Sequence, residues 1–163
     1  MPPRIPITVE RLDAVLDITP APEALEILIR EVPHVPIPGR RFNRTQVLLN
    51  LVYAVDASFG SIGLALFIDY GTGAEYDTIV DVLDEIGASI TCSYLKEGRE
   101  IVGGIVPTDE SERAALTEQH DRELRTLDLK YRDLLRDEAA KAFLAWLAKD
   151  KARAVIELNQ ISP

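Results

Sequence analysis

The chain has 163 residues, enough for one compact domain with a real core. Its 27 acids against 18 bases give a formal net charge of −9, which excludes the basic footprint that direct binding to nucleic acid or an anionic membrane needs. The single cysteine, Cys92, excludes an internal disulfide, fits a reducing cytoplasm and reads as a small buried apolar residue.

Eight of the 10 prolines fall within the first 38 residues, so residues 1–41 read as a proline-rich arm. Residues 1–13 carry no apolar core after Arg4 and are not read as a signal peptide. Two short helices are expected in the arm, Thr8 to Ile18 and Pro22 to Val32. Pro22 suits a first helical turn, and Glu23 and Glu26 complement its positive end. "VPHVPIPGRRFNR" (32–44) then reads as an extended connector, and residues 42–163 as one globular helical unit.

Asn43 or Thr45 is placed to cap a helix whose apolar stripe is Leu48, Leu51, Val52, Val55 and Phe59. The run "VLLNLVYAVDASFGSIGLALFI" (47–68) is long enough to span a bilayer. However, Asp56 at its centre costs about 2.5–3.5 kcal/mol on insertion, and the glycines and serines of "ASFGSIG" add to that. Two buried helices joined at that turn are the expectation, the second ending near Tyr70. After "GTG", residues 74–86 repeat Ile79, Val82, Leu83 and Ile86 on one face, and Gly87 is the stop. A helix over 89–98 comes next, then "EIVGGIVP" (100–107) as a packed loop or a short β-hairpin near 100–106. Asp109 and Glu112 form a capping box for a stripe of Leu116, His120, Leu124, Leu127, Tyr131 and Leu134, with a break expected near Leu127-Asp128. Asp137 is expected to cap a last helix that buries Ala140, Phe143, Leu144 and Leu147. The fold class expected is therefore all-α, a compact multi-helix bundle.

"DYGTG" (69–73) is shaped like a phosphate-binding loop, in which backbone donors and a nearby base hold phosphate. Here Glu75 and Asp77 stand where the phosphate would sit, and no Lys or Arg occurs between Arg44 and Lys96. The turn is read as a link between helices. The same gap in bases leaves Asp56, Asp69, Glu75, Asp77, Asp81, Asp84 and Glu85 as seven acids with no base in residues 45–95. On the helix 74–86, Asp77, Asp81, Asp84 and Glu85 fall opposite the apolar stripe. They are either a solvated face or a surface for a basic partner.

Catalytic constellations are missing from the sequence. His34 sits in the proline connector, His120 on an apolar stripe, and no His-x-x-x-His, Cys-x-x-Cys or Gly-x-Ser-x-Gly occurs. No cofactor and no metal site is expected.

Residues 45–155 resemble a bacterial domain family known for a DNA-mimic protein, one that binds a helix-turn-helix repressor in place of the operator. An apolar helix followed by "FGSIGLALFIDYGTG", then "IVDVLDEIGA" (79–88), then "LRTLDLKYRDLLRDEAAKAFLAWLAKD" (124–150) carry the resemblance. This chain departs at Gly60-Ser61 and Ala65-Leu66, where the family has paired glycines and a Gln, and at Asp69, where it has an Asn. The resemblance implies a helical, acidic, non-enzymatic interaction protein, often a homodimer. Asp69, Glu75, Asp77, Asp81, Asp84 and Glu85 are then the candidate partner-binding residues, facing a basic and DNA-binding protein. The alternative is an immunity or antitoxin protein that neutralises a basic toxin such as a nuclease, and a third reading is an enzyme whose site assembles only in space.

Overall fold

The computed structural model describes residues 6–32, 42–59 and 62–160. Among them the fold is all-α, as expected, with no strand. The helices are α1 (Val9–Leu16), α2 (Ala21–Glu31), α3 (Arg44–Phe59), α4 (Gly63–Asp69), α5 (Tyr76–Ile86), α6 (Ser89–Ile101), α7 (Glu110–Gln119), α8 (Asp121–Leu135), α9 (Glu138–Ala148) and α10 (Lys151–Asn159). A 3-10 turn, Gly71–Glu75, links α4 to α5. Two compact units emerge: the described residues up to Tyr53 with those from Ala140 onward, and Ala54–Ala139.

In the first unit α1 packs on α2 and α10. Leu12, Val15, Leu25, Leu28, Leu48, Phe143, Leu147 and Leu158 are buried there. Side-chain amides close its loose ends. Asn159 accepts from the Ile7 N–H at 2.9 Å and donates to the Ile7 carbonyl at 2.6 Å. Asn43, one of the two cap candidates, accepts from the Gln46 N–H at 3.0 Å, while Gln46 accepts from the Asn43 N–H at 3.2 Å. That reciprocal pair is a capping box that starts α3. Gln46 also donates to the carbonyls of Leu158 and Gln160, satisfying the end of α10. Asp150 caps α10 through the Arg153 N–H at 3.1 Å. This last helix is not expected from the sequence, because Ala154 and Leu158 are too sparse a stripe to announce it.

In the second unit α6 packs on α5 and α8, and α4 on α7 and α8. An aromatic cluster fills the middle, with ring centroids 5.0 Å apart for Phe59–Phe67 and Phe59–Tyr94, and 5.3 Å for Tyr94–Tyr131. The Tyr76 hydroxyl donates to the Leu95 carbonyl at 2.7 Å, so the phenol is paired inside the core. Cys92 is buried, as expected. Residues 102–107 form a loop rather than a hairpin, with Val102 buried, Ile105 exposed and Gly103 and Gly104 both at positive φ. Gly87 ends α5 at a φ of +80°.

One helix break lies away from its expected place. The long helix breaks at His120, between α7 and α8, and not near Leu127-Asp128. Asp128 does not start a helix of its own because its carboxylate is committed elsewhere. It accepts the Leu64 N–H at 3.2 Å, at the N-terminus of α4, and the Tyr94 hydroxyl. Burial first, and then this bond to Asp128, hold the Tyr94 phenol above its ordinary value. Glu138 does for α6 what Asp128 does for α4, accepting the N–H groups of Ile90 at 3.2 Å and Thr91 at 3.1 Å.

This packing sets two stability outcomes. A Cβ on Gly73 would lie 1.8 Å from the Ile68 carbonyl oxygen and 2.8 Å from Arg113 Cδ, so the backbone itself must move. Gly73→Ala is expected to cost about 1–3 kcal/mol in urea unfolding, and a loss within about 0.5 kcal/mol would contradict that packing. Asp56 is half-buried, and burial, then the charge of Asp137, pushes its carboxyl above the usual carboxylate range. Its protonated form therefore favours the fold, and stability is lost as pH rises from the unfolded carboxylate range through the raised folded value. Asp56→Asn is expected to stabilise the protein at neutral pH and to match the parent in acid below that window. A variant no more stable than the parent at neutral pH would contradict that burial penalty.

Candidate functional site

Helix α5 is amphipathic in the manner the sequence predicts. Tyr76, Ile79, Val80, Val82, Leu83 and Ile86 are buried, while Asp77, Asp81, Asp84 and Glu85 are exposed. Glu75 is exposed at the end of the 3-10 turn, and Asp69 is half-buried at the end of α4. The six candidate residues thus occupy one continuous stretch of chain, from the last residue of α4 to the last turn of α5.

Bases that lie outside that stretch in sequence reach it in space. Arg99 on α6 binds Asp77 at 3.0 Å, and Lys96 stands 3.9 Å from Asp84. The Asp77 side chain nevertheless stays 72% exposed. For Asp81 and Glu75 no ion pair forms among the described residues. The surface is a carboxylate row partly balanced along the edge facing α6.

Arg113 is the residue that sequence reasoning missed. It lies on α7 at 3% exposure, under the turn between α4 and α5. Its two terminal nitrogens donate to four carbonyls, those of Pro107 and Thr108 on one side and Asp69 and Tyr70 on the other. A cation at the C-terminal end of α4 meets the negative end of that helix and satisfies its last carbonyls. It also removes the phosphate-loop reading of "DYGTG" in a way the sequence could not. The cation beneath the turn commits its terminal donors to backbone oxygens, and Glu75 and Asp77 stand at the N-terminus of α5. Only its composition announced Arg113, as one base within the mixed-charge segment after residue 95; its α4-end partner carbonyls lie more than 40 residues away.

Two clefts mark the second unit. One, of about 740 Å³, is lined by Asp56, Asp128 and Asp137 with Arg132 and Arg136. The other, of about 850 Å³, lies between α4 and the α7–α8 pair. Neither is lined by His120 or Cys92. Among the described residues no group of three or more His, Cys, Asp or Glu is arranged to hold a metal ion, and no helix is long and apolar enough to cross a membrane.

Comparison with known proteins sets this surface in a family. No curated protein and no solved structure matches the chain. A family profile described as DMP19-like protein matches residues 40–150, a span that contains the whole second unit and every candidate residue on α4 and α5. That span is more than half the chain, and the match agrees with the resemblance carried by "FGSIGLALFIDYGTG" and "IVDVLDEIGA": the chain belongs to the DMP19-like protein family, a family of DNA mimics.

Proposed function

We propose that this protein is a DNA-mimic-like regulator, a non-enzymatic interaction protein that presents the carboxylates of Asp69, Glu75, Asp77, Asp81, Asp84 and Glu85 to a basic, DNA-binding protein. The observation that carries the reading is the exposed acid row of α5 within the family-matched unit. At 1.5 Å rise per residue, Asp77 to Glu85 spans roughly 12 Å, about one charge per 4 Å. A single DNA strand carries one phosphate per about 3.4 Å, so a surface that grips a phosphate row meets a similar line charge here. The bonds to Arg99 and Lys96 do not remove the row from use. Exposed ion pairs are worth about 0–1 kcal/mol, so a partner guanidinium can exchange into the Lys96–Asp84 contact at little cost, while Asp77, held by the less exposed Arg99, exchanges less readily. Like-signed charge steers an oppositely charged partner, which makes association fast and salt-sensitive. On this reading the protein works in the cytoplasm and binds no nucleic acid itself.

Two measurements test this. The variant carrying Asp77→Asn, Asp81→Asn, Asp84→Asn and Glu85→Gln is expected to remain folded, because the buried stripe of α5 is untouched, with stability changed by about 0.5 kcal/mol or less at each site except Asp77, whose loss also unpairs Arg99. Its binding to a partner recovered from cell extract should fall by about 100-fold or more, mostly in the association rate, and added salt should weaken the parent in parallel. A partner held equally well by both proteins, at low and high salt alike, would sink the proposal. Separately, the protein itself should show no competable binding to duplex DNA at physiological salt in a gel shift. A tight, competable shift would mean that a basic surface operates despite the net charge of −9.

A further inference from the structure

The groove between α4 and the α7–α8 pair has a chemistry different from that of α5. Leu66 on α4 is 41% exposed and Leu129 on α8 is 64% exposed, and both line the same groove together with Ile62 and Ala65. Large aliphatic side chains on both walls of one concave surface are unlike the scattered single leucines that any protein surface carries. The rim is acidic. Of the four carboxylates lining the groove, Asp128 is committed to the Leu64 N–H and the Tyr94 hydroxyl and Asp121 to Arg125, at 2.9 Å on its own helix, which leaves Asp69 and Glu118 against Arg132. Asp69 and Glu118 stand at the rim on α4 and α7.

We infer that this groove docks a basic amphipathic helix of the partner protein. An apolar floor with an acidic rim matches a helix with aliphatic residues at i, i+3, i+4 and i+7 and Lys or Arg on the flanks. Aliphatic anchors insert between Leu66 and Leu129, while flanking cations meet Asp69 and Glu118. An acidic helix is repelled by the same rim, and a nucleic-acid strand offers nothing to the two leucines. Asp69 belongs to both surfaces, since it ends α4 at the start of the turn that leads to the α5 carboxylates. The inference rests on the reading of a basic protein partner and adds the element by which that partner is held. It also adds a force of another kind. Purely coulombic contacts along α5 weaken with salt, whereas burial of Leu66 and Leu129 persists.

The test uses the full chain and a synthetic, fluorescein-labelled peptide of about 18 residues, long enough for five helical turns, with leucines at heptad-like spacing and lysines elsewhere. Two controls accompany it: a scrambled peptide of identical composition, and one with glutamates in place of the lysines. Anisotropy titration is expected to show binding of the basic amphipathic peptide, at least 10-fold weaker binding of the scrambled one, and none of the acidic one. Amide shifts in nitrogen-15 spectra should cluster on Ile62–Tyr70 and on the facing turns of α7 and α8. Leu66→Gln with Leu129→Gln, both at exposed positions, should lower affinity at least 10-fold with the circular dichroism spectrum unchanged, and a substantial part of the parent's binding should survive high salt.

Equal binding of scrambled and amphipathic peptides, or of the leucine variant and the parent, would overturn the groove. Shifts confined to α5, abolished by salt, would also overturn it, while leaving the acidic-face proposal standing. Binding of the acidic peptide would overturn the role of the rim. The partner measurement with the α5 variant is independent of all of these, so the failure of one proposal is not mistaken for the failure of the other.

Discussion

Helix α4 is seven residues long, too short to persist by its own hydrogen bonds. It is held by a charged side chain at each end, and the signs match the helix dipole. At its N-terminus the Asp128 carboxylate accepts the Leu64 N–H, and at its C-terminus the Arg113 guanidinium donates to the carbonyls of Asp69 and Tyr70. Both charges come from the helices beside it, α8 and α7. A glycine stands near each contact because nothing larger fits. A Cβ on Gly63, at a φ of +72°, would lie 2.6 Å from Asp128 Oδ2, and one on Gly73 would press on Ile68 O and Arg113 Cδ. Gly63 and the "GTG" of the sequence therefore mark the two ends of one electrostatically clamped helix. The 3-10 turn and the acids of α5, next along the chain, take their position from that clamp.

The same logic recurs in α6, whose first-turn N–H groups are satisfied by Glu138. The side-chain caps at the starts of α4 and α6 are long-range, which is why one-dimensional reading could not find them. A local cap can be read from spacing. Asp109 and Glu112 were legible at the start of α7, where the Asp109 carboxylate accepts the Glu112 N–H at 3.0 Å. Gly87 was legible because a left-handed residue after an apolar stripe needs glycine. Asp128 was not, since an aspartate inside a helical pattern has the look of a cap for its own chain. Its partners lie 34 and 64 residues away. The expected break moved to His120 for that reason, and the stripe of Leu124, Leu127 and Tyr131 continues unbroken through α8.

The bare stretch from 45 to 95 was visible as a row of acids, and the helix that carries most of them formed as its periodicity implied. The surroundings of the row were not visible. Electrostatics depends on distance in space, and α6 returns two bases to the edge of α5 while α7 sends one beneath the turn. Reading along the chain therefore counts the carboxylates accurately and inflates their freedom.

That difference grades the α5 positions. Arg99 is only 29% exposed, and its Nε has no hydrogen-bond partner within the protein. A partner cation that takes Asp77 away from Arg99 leaves a half-buried guanidinium with less compensation, and an unpaired charge away from water is costly. Lys96 is more exposed and sits at the long limit of an ion pair, so Asp84 can be shared between it and an incoming base with little penalty. Asp81 forms no ion pair among the described residues and carries neither cost. A partner approaching α5 thus meets a row of similar charges whose availability differs: Asp81 is open, Asp84 is loosely held, and Asp77 is tied to the core-side face of α6. A nucleic-acid phosphate row has no such inequality. On the proposed reading, the contacts of a DNA-binding partner are accordingly biased toward the middle of the helix, while Asp77 fastens α5 to α6 through Arg99.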